Sequence, residues 1–482
     1  MRARFLVGCG ALAWALLATA FAFTGVASAA GVGAGVVIEG ARGSATGPPG
    51  TWDPQDPWSN ADHVNPWSPL PTPTEPATVP PEVADAEGAP GSLDVSFSDD
   101  GLSTPNLTNG PEDGASVAIQ PDGKIVVGGG AGSGNSRVQV ARFNADGSRD
   151  TSFGGGDGAV QKNISPGPDW IEDIALQPDG KVVAVGSAWG VSFVIRFNSN
   201  GTLDTGFGDG GYQLLLVGRS FNAATAVVVD GFGNVAFAGR GGGDGGRIVV
   251  ARVDAAGAPD LSFGVGGITI VNIYDGEDMA WDLALQPDGK LVVGGSMTLQ
   301  RLAMVVLRLD EDGELDPTFD SDGIRTFGPR GIPAIATAVA IQEDGAIVAG
   351  GLSLDHGGEM IVARITPDGR LDTSWNGARH ATVDFSGGQD LVWRLAVQDD
   401  GAIVAVGRAG GSGGRFAVAR LTAAGALDPS FSGDGKLTTN LTAGDDAAHS
   451  VALDGEGDIV ASGYADGASG NARIGIVRYL GA

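Results

Sequence analysis

The stretch Ala-Leu-Gln-Pro-Asp-Gly-Lys-Val-Val-Ala-Val-Gly, residues 175–186, decides the fold. Aliphatic runs flank Pro178-Asp179-Gly180, in which Pro fixes φ at the first corner of a turn and Gly accepts φ > 0 at the last. Apolar residues recur with period two on both sides, so the phrase reads as two antiparallel strands joined by a tight turn. It returns as Gln120-Pro121-Asp122-Gly123-Lys124 and Gln286-Pro287-Asp288-Gly289-Lys290.

Working outward, three markers each occur seven times. The turn glycine stands at 123, 180, 233, 289, 345, 401 and 457. An arginine ends an aliphatic run at 142, 196, 252, 308, 364, 420 and 478. An aromatic in a Leu-Asp-x-Ser-Phe phrase stands at Phe97, Phe153, Phe207, Phe263, Phe319, Trp375 and Phe431, at spacings of 54 or 56 residues. Self-similarity at this period marks a repeat architecture. Each unit carries a third strand, such as Val138–Phe143, and a fourth, such as Ala159–Ile164. Four short strands in about 56 residues, seven times over, predict an all-β, seven-bladed β-propeller over residues 91–482. The alternative, an open β-solenoid, generally has shorter coils of about 20–30 residues.

In six units the arginine precedes the Asp of the next phrase by eight residues, as in Arg142 and Asp150. Arg478 and Asp94 are left over. They are expected to pair, so that Leu93–Leu107, with a strand at 102–107, completes the last blade and closes the ring. Closure removes the exposed strand edges that invite aggregation.

The phrases at 175–186, 140–148 and 427–435 resemble the delta-60 repeat, a bacterial propeller repeat of secreted and surface proteins. The resemblance covers roughly residues 91–482. It implies a propeller and an extracellular setting, and it carries no catalytic residues. The third unit departs most, with Asp230-Gly231-Phe232-Gly233-Asn234 in place of the Gln-Pro-Asp-Gly-Lys turn.

Before the repeats lie two other segments. Arg2 and Arg4, the apolar run Phe5–Phe23 and Ala27-Ser28-Ala29 make residues 1–29 an expected signal peptide, the alternative being an uncleaved anchor. Residues 30–90 are expected to be a Pro-rich, disordered linker; Trp52, Trp58 and Trp67 fall in it. Cys9 is the sole cysteine, so a mature chain has no disulfide, thiolate nucleophile or Cys-ligated metal. Gly is 82 of 482 residues without a G-X-Y period, which excludes collagen. A net charge of −28 excludes a nucleic-acid footprint. The product is expected to be secreted, monomeric and without a membrane span after cleavage.

Candidate chemistry is sparse. The acidic turns containing Asp310, Asp312, Asp316, Asp320 and Asp322 are the candidate metal site, with Ca²⁺ as the cation and no other cofactor expected. The same Asp-Gly phrases are also ordinary β-turn chemistry. One column varies between copies while its aliphatic flanks do not: Ala115, Glu172, Thr225, Trp281, Thr337, Trp393 and His449, followed by Ser116, Asp173, Ala226, Asp282, Ala338, Arg394 and Ser450. Such a column reads as a rim or channel surface. Trp281, Asp282, Trp393, Arg394 and His449 are the candidate ligand-binding residues, suited to a polar or sugar-like ligand. No Ser-His-Asp or histidine–metal arrangement is legible. The expected function is therefore a secreted binding or scaffold module for a protein or polysaccharide. The rival reading is an extracellular lyase, hydrolase or quinoprotein-like oxidoreductase with its site in the central channel.

Overall fold

The computed structural model describes residues 36–38 and 88–481, apart from short stretches at 109, 133–135, 218–221, 242–245, 275, 299–301, 329–332, 354–357, 386–388, 411–412 and 467–471. The expected signal peptide, residues 39–87 and, within the expected linker, Trp52, Trp58 and Trp67 lie outside these. Val36–Ile38 pairs in parallel with Leu215–Val217 on the outer strand of blade 2.

Period-two patterning and turn chemistry do what they imply. The repeats form seven antiparallel sheets in which consecutive strands are neighbours. The inner strands are Ser116–Ile119, Asp169–Leu176, Ala223–Val229, Glu277–Leu285, Ala334–Ile341, Leu391–Val397 and Asp446–Leu453, in blades 1 to 7. Each inner strand packs beside the next, and that of blade 7 packs beside that of blade 1, so the propeller is a closed ring. The core lies between blades: Val183, Val194 and Phe207 of blade 2 pack with Val227, Phe237 and Val249 of blade 3. Among the described residues the one helical piece is a 3-10 turn at Trp375–Gly377, where Trp replaces the aromatic marker's usual Phe. No helix there is long and apolar enough to cross a membrane.

The three sequence markers meet in one joint per blade. Arg142 pairs with Asp150 at 2.7 Å, and the same contact recurs for Arg196, Arg252, Arg308, Arg364 and Arg420 at 2.7–2.9 Å. Six of the arginines lie over the phenylalanine marker, 4.4–5.6 Å from the ring centroid. Each such guanidinium also donates to a turn carbonyl of the following blade, as Arg142 does to Ser199 and Arg308 to Pro367. Ion pair, cation–π contact and inter-blade hydrogen bond share one side chain.

Closure uses this same joint. Arg478 pairs with Asp94, lies over Phe97 and donates to the carbonyl of Ala145 in blade 1. Leu102–Ser103 pairs with Val477 and Ile476 as the outer strand of blade 7. That strand is shorter than the 102–107 expected, because from Thr104 onward the chain turns towards the start of blade 1. There Glu112 accepts a hydrogen bond from the Leu107 amide. The departing turn of the third unit still closes. Asp230 accepts from the amides of Phe232 and Asn234 and from the Asn234 side chain, so an Asx turn does the work of Pro.

Candidate functional site

The variable column has a structural cause. In blades 2 to 7 the pairing of inner and second strand slips by one residue at Glu172, Thr225, Trp281, Thr337, Trp393 and His449. These are β-bulges, whose extra residue is unpaired and is aimed by the local bend instead of the ladder. Opposite each bulge the second strand carries a glycine: 186, 239, 295, 351, 407 and 463. A Cβ at any of these would collide with an inner-strand carbonyl, for instance that of Ile335 at Gly351. The recurring Gly in phrases such as Val-Ala-Val-Gly is the trace of the bulge in the sequence.

In blades 2, 4, 6 and 7 the residue after the bulge stitches inner strands together. Asp173 accepts from the Val227 amide (2.9 Å) of the next blade, from the Ile174 amide (2.9 Å) and from the Ser116 hydroxyl (2.7 Å). Asp282 accepts from the amides of Val339 and Leu283, both at 2.9 Å. Ser450 accepts from the Val117 amide. In blades 3 and 5 the position is Ala226 or Ala338, and Arg394 of blade 6 reaches the carbonyls beside them. Its Nη2 donates to Thr225 (3.2 Å) and its Nη1 to Thr337 (3.5 Å) and Trp393 (3.1 Å). Its Nε stands 3.9 Å from Asp282. Blades 3 and 6 face each other across the ring, so Arg394 bars the channel. Burial pushes the carboxyls of Asp173 and Asp282 up, the latter to about 6, although Arg394 opposes the shift in both.

The bulge side chains lie between blades, where they are buried. Thr225 and Thr337 donate to the carbonyls of Ala280 and Val392 in the next blade. Trp281 is 7% exposed and donates to the Ser296 hydroxyl at 3.0 Å. Trp393 is 5% exposed and meets the edge of His449 at 6.1 Å between centroids. Neither indole face is presented to solvent, because the bulge turns it into the seam. The His449 Nδ1 stands 3.3 Å from Asp113 Oδ1 of blade 1, and Tyr464 tilts over the imidazole at 5.3 Å.

The structure thus brings Asp282 and Arg394 together, and Trp393 with His449, while Trp281 stands apart with Ser296. The acidic turns gather no common centre. Asp310 accepts from the amides of Asp312 and Glu314, Asp316 pairs with Arg308, Asp320 with Arg325, and Asp322 accepts from the Ile324 amide. Among the described residues no three His, Cys, Asp or Glu side chains form a metal-holding group.

One residue the sequence reading did not single out is Trp189. It tips the hairpin between the second and third strands of blade 2, with φ 45° at Trp189 and 81° at Gly190. Positive φ at both central residues is a type I′ pattern, which favours Asn-Gly. A tryptophan there is strained by roughly 1–3 kcal/mol. The ring rests on Gly167, where a Cβ would come within 2.6 Å of it, and the residue is 60% exposed. The signal was a Trp-Gly dipeptide in a hairpin-turn position.

Comparison with known proteins agrees with the ring. Five of the seven repeats match the family model described as a domain of unknown function (DUF5122) beta-propeller. The matched residues are 120–153, 177–207, 286–319, 342–374 and 398–431. Each match runs from the turn to the aromatic marker or its neighbour. The unmatched third and seventh repeats are those without Gln-Pro-Asp or a close variant in the turn, having Asp230–Asn234 and Asp454–Asp458 instead. No curated protein matches the sequence. Among solved structures, a streptogramin B lyase is similar at 12% identity over 78% of this chain and 96% of its own, with a TM-score of 0.45. Polysaccharide lyase Uly1 is similar at 11% over 83% and 94%, with a TM-score of 0.46. The periplasmic gluconolactonase PpgL of Pseudomonas aeruginosa is similar at 14% over 72% and 93%, with a TM-score of 0.40. Likenesses this distant carry no functional argument.

Proposed function

We propose that this chain is a secreted propeller that acts as a binding module at or outside the cell surface, taking a protein or polysaccharide on the end of the ring that bears Trp189. The N-terminal Arg-apolar-small pattern and the resemblance to delta-60 repeats support export. The observation that carries the binding reading is Trp189, an exposed aromatic retained in a backbone conformation that disfavours it. Local choices that cost stability concentrate at functional positions. The rival, an enzyme in the channel, would have to use Asp173, Asp282 and Arg394, whose polar atoms already hold neighbouring strands.

The test is co-sedimentation of the mature chain with a bacterial cell-envelope preparation. Trp189→Asn should relax the turn, raising stability by about 1 kcal/mol, and should remove most of the bound fraction. A variant that is more stable and still sediments like the parent would overturn the reading.

A further inference from the structure

The third unit departs from the other six in where it leaves apolar surface. Among the described residues the exposed large hydrophobic side chains are Val95, Trp189, Phe232, Leu261 and Val265. Three of these belong to blade 3, with Phe232 at 87%, Leu261 at 78% and Val265 at 63%. The residue before the turn glycine, where Phe232 stands, is acidic in every other unit: Asp122, Asp179, Asp288, Asp344, Asp400 and Glu456. Two residues past the aromatic marker, where Val265 stands, the other units have Asp, Ser or Gly. Glu456 occupies an Asp-Gly-x-Gly turn of the same form as that of blade 3, so the turn itself does not call for an aromatic. The three side chains also share one place. In blades 2 and 4 a lysine joins the corresponding turn and phrase: Lys181 reaches Asp179 and Asp204, and Lys290 reaches Asp288 and Asp316, at 3.1–3.5 Å. Blade 3 has Phe232, Asn234 and Asp260 at those positions, which sets Phe232 beside Asp260 and Leu261. Val265 follows Gly264, whose amide bonds to the Asp312 carbonyl of blade 4. The patch therefore runs from the hairpin of the first two strands to the seam with blade 4, on the end of the ring opposite Trp189.

We propose that this patch docks a basic, amphipathic segment of a partner protein, whose apolar side chains cover Phe232, Leu261 and Val265. Grouped apolar side chains in solvent, at positions that other repeats fill with charge, mark an interaction surface. Charge identifies the occupant. Asp209, Asp254, Glu311 and Asp312 border the patch. The blade 2 loop carrying Asp209 meets it where the Gly208 amide bonds to the Ala256 carbonyl, and Arg252 reaches the Glu311 carbonyl at 2.7 Å. Neither 230–234 nor 254–267 carries a base. Arg252 is held by Asp260 at 2.7 Å, and the lysines of the adjoining units are held by their own aspartates. A second copy would bring two such acidic rims together, and an anionic membrane would be repelled. Residues 39–87 carry eight acidic residues against one arginine, so this stretch of the chain is repelled as well. A segment with Lys or Arg around an apolar face matches both the centre and the rim. With the Trp189 end, this gives the ring a docking surface on each face.

The test is fluorescence anisotropy of the mature chain with a labelled amphipathic Leu-Lys peptide and a Ser-Lys peptide of equal charge. The Leu-Lys peptide should bind about tenfold or more tightly than the Ser-Lys one. Phe232→Asp and Leu261→Thr install residues that other units carry at these exposed positions, so both variants should keep the parent's melting temperature. Each should weaken Leu-Lys binding about tenfold. Phe232→Asp also adds a negative charge, so attraction by charge alone would strengthen binding instead. Failure of the Leu-Lys peptide to bind, equal affinity for the two peptides, or undiminished binding by both variants would overturn the proposal. So would a dimer, seen in sedimentation equilibrium, that Phe232→Asp dissociates, since a second copy would then be the occupant. Trp189→Asn should leave peptide binding unchanged, which separates this surface from the one at the other end; a loss there would overturn the placement.

Discussion

Arg308 and Asp316 are 6% and 5% exposed at their side chains and 2.8 Å apart. The pair therefore escapes the screening that makes surface bridges nearly worthless. Arg308→Ala leaves the buried carboxylate only Lys290 at 3.5 Å and Thr318, and should cost more than the ~0–1 kcal/mol of a surface pair in denaturant unfolding. Two kinds of carboxyl also give the molecule opposite pH limbs. Burial pushes Asp316 up, but hydrogen bonds from Thr318 and the charge of Arg308 outweigh it and hold the group at about 2. Its contribution is present above the unfolded value near 4 and is lost as pH falls towards 2. Asp282, pushed to about 6 by burial, behaves in reverse. Its contribution is complete below pH 4 and is lost as pH rises through 6. Unfolding free energy measured across pH should therefore decline between 4 and 6, and Asp282→Asn should make that limb shallower, with Asp278, which burial also raises to about 6, carrying part of the rest. Superimposable profiles for parent and variant would show that this carboxyl is not raised.

At the scale of strands, the bulge makes the second-strand glycine irreplaceable. Gly351→Ala drives a methyl into the Ile335 carbonyl, and Gly407→Ala into that of Leu391. Each should cost roughly 1–3 kcal/mol or more in thermal unfolding. Gly231→Ala, where a Cβ meets nothing, should be nearly silent. Equal effects at Gly231 and Gly351 would contradict the bulge geometry. The strands and their turns were legible because period and turn chemistry are local properties. The bulge was not, since an extra residue shows only against its paired strand; the glycine column was its visible side. Hence the variable column read as an open surface, whereas the bend buries Trp281 and Trp393 in seams. A second device also went unread. Asp169, Asn222, Asp278, Asp390 and Asp446, three residues before the bulges, accept amides of the preceding loop, as Asp278 does from Ile273. Their spacing was regular, but loop-pinning is not a property of composition. Asp94 with Arg478 was legible, because the six internal pairs already gave its rule.

For the whole ring, closure rests on that leftover pair. Asp94→Ala and Arg478→Ala should each destabilise, and the double variant should cost clearly less than their sum, because the partners couple. Strict additivity would mean that the pair does not hold the ring shut. The two ends of the repeat region also meet: the Gly91 amide bonds to the Leu480 carbonyl, and the Leu480 amide to the Ser92 carbonyl. Ends this close leave the ring with no privileged starting point. A circular permutant that joins residue 480 to 91 through a short Gly-Ser bridge and opens between blades 3 and 4 should fold to the same propeller. Its Asp94 would then follow Arg478 at a short spacing, as in every other joint. The closing contact would become a local one, and the long-range closure would pass to the seam of blades 3 and 4, so Asp94→Ala should then slow refolding less than it does in the parent chain.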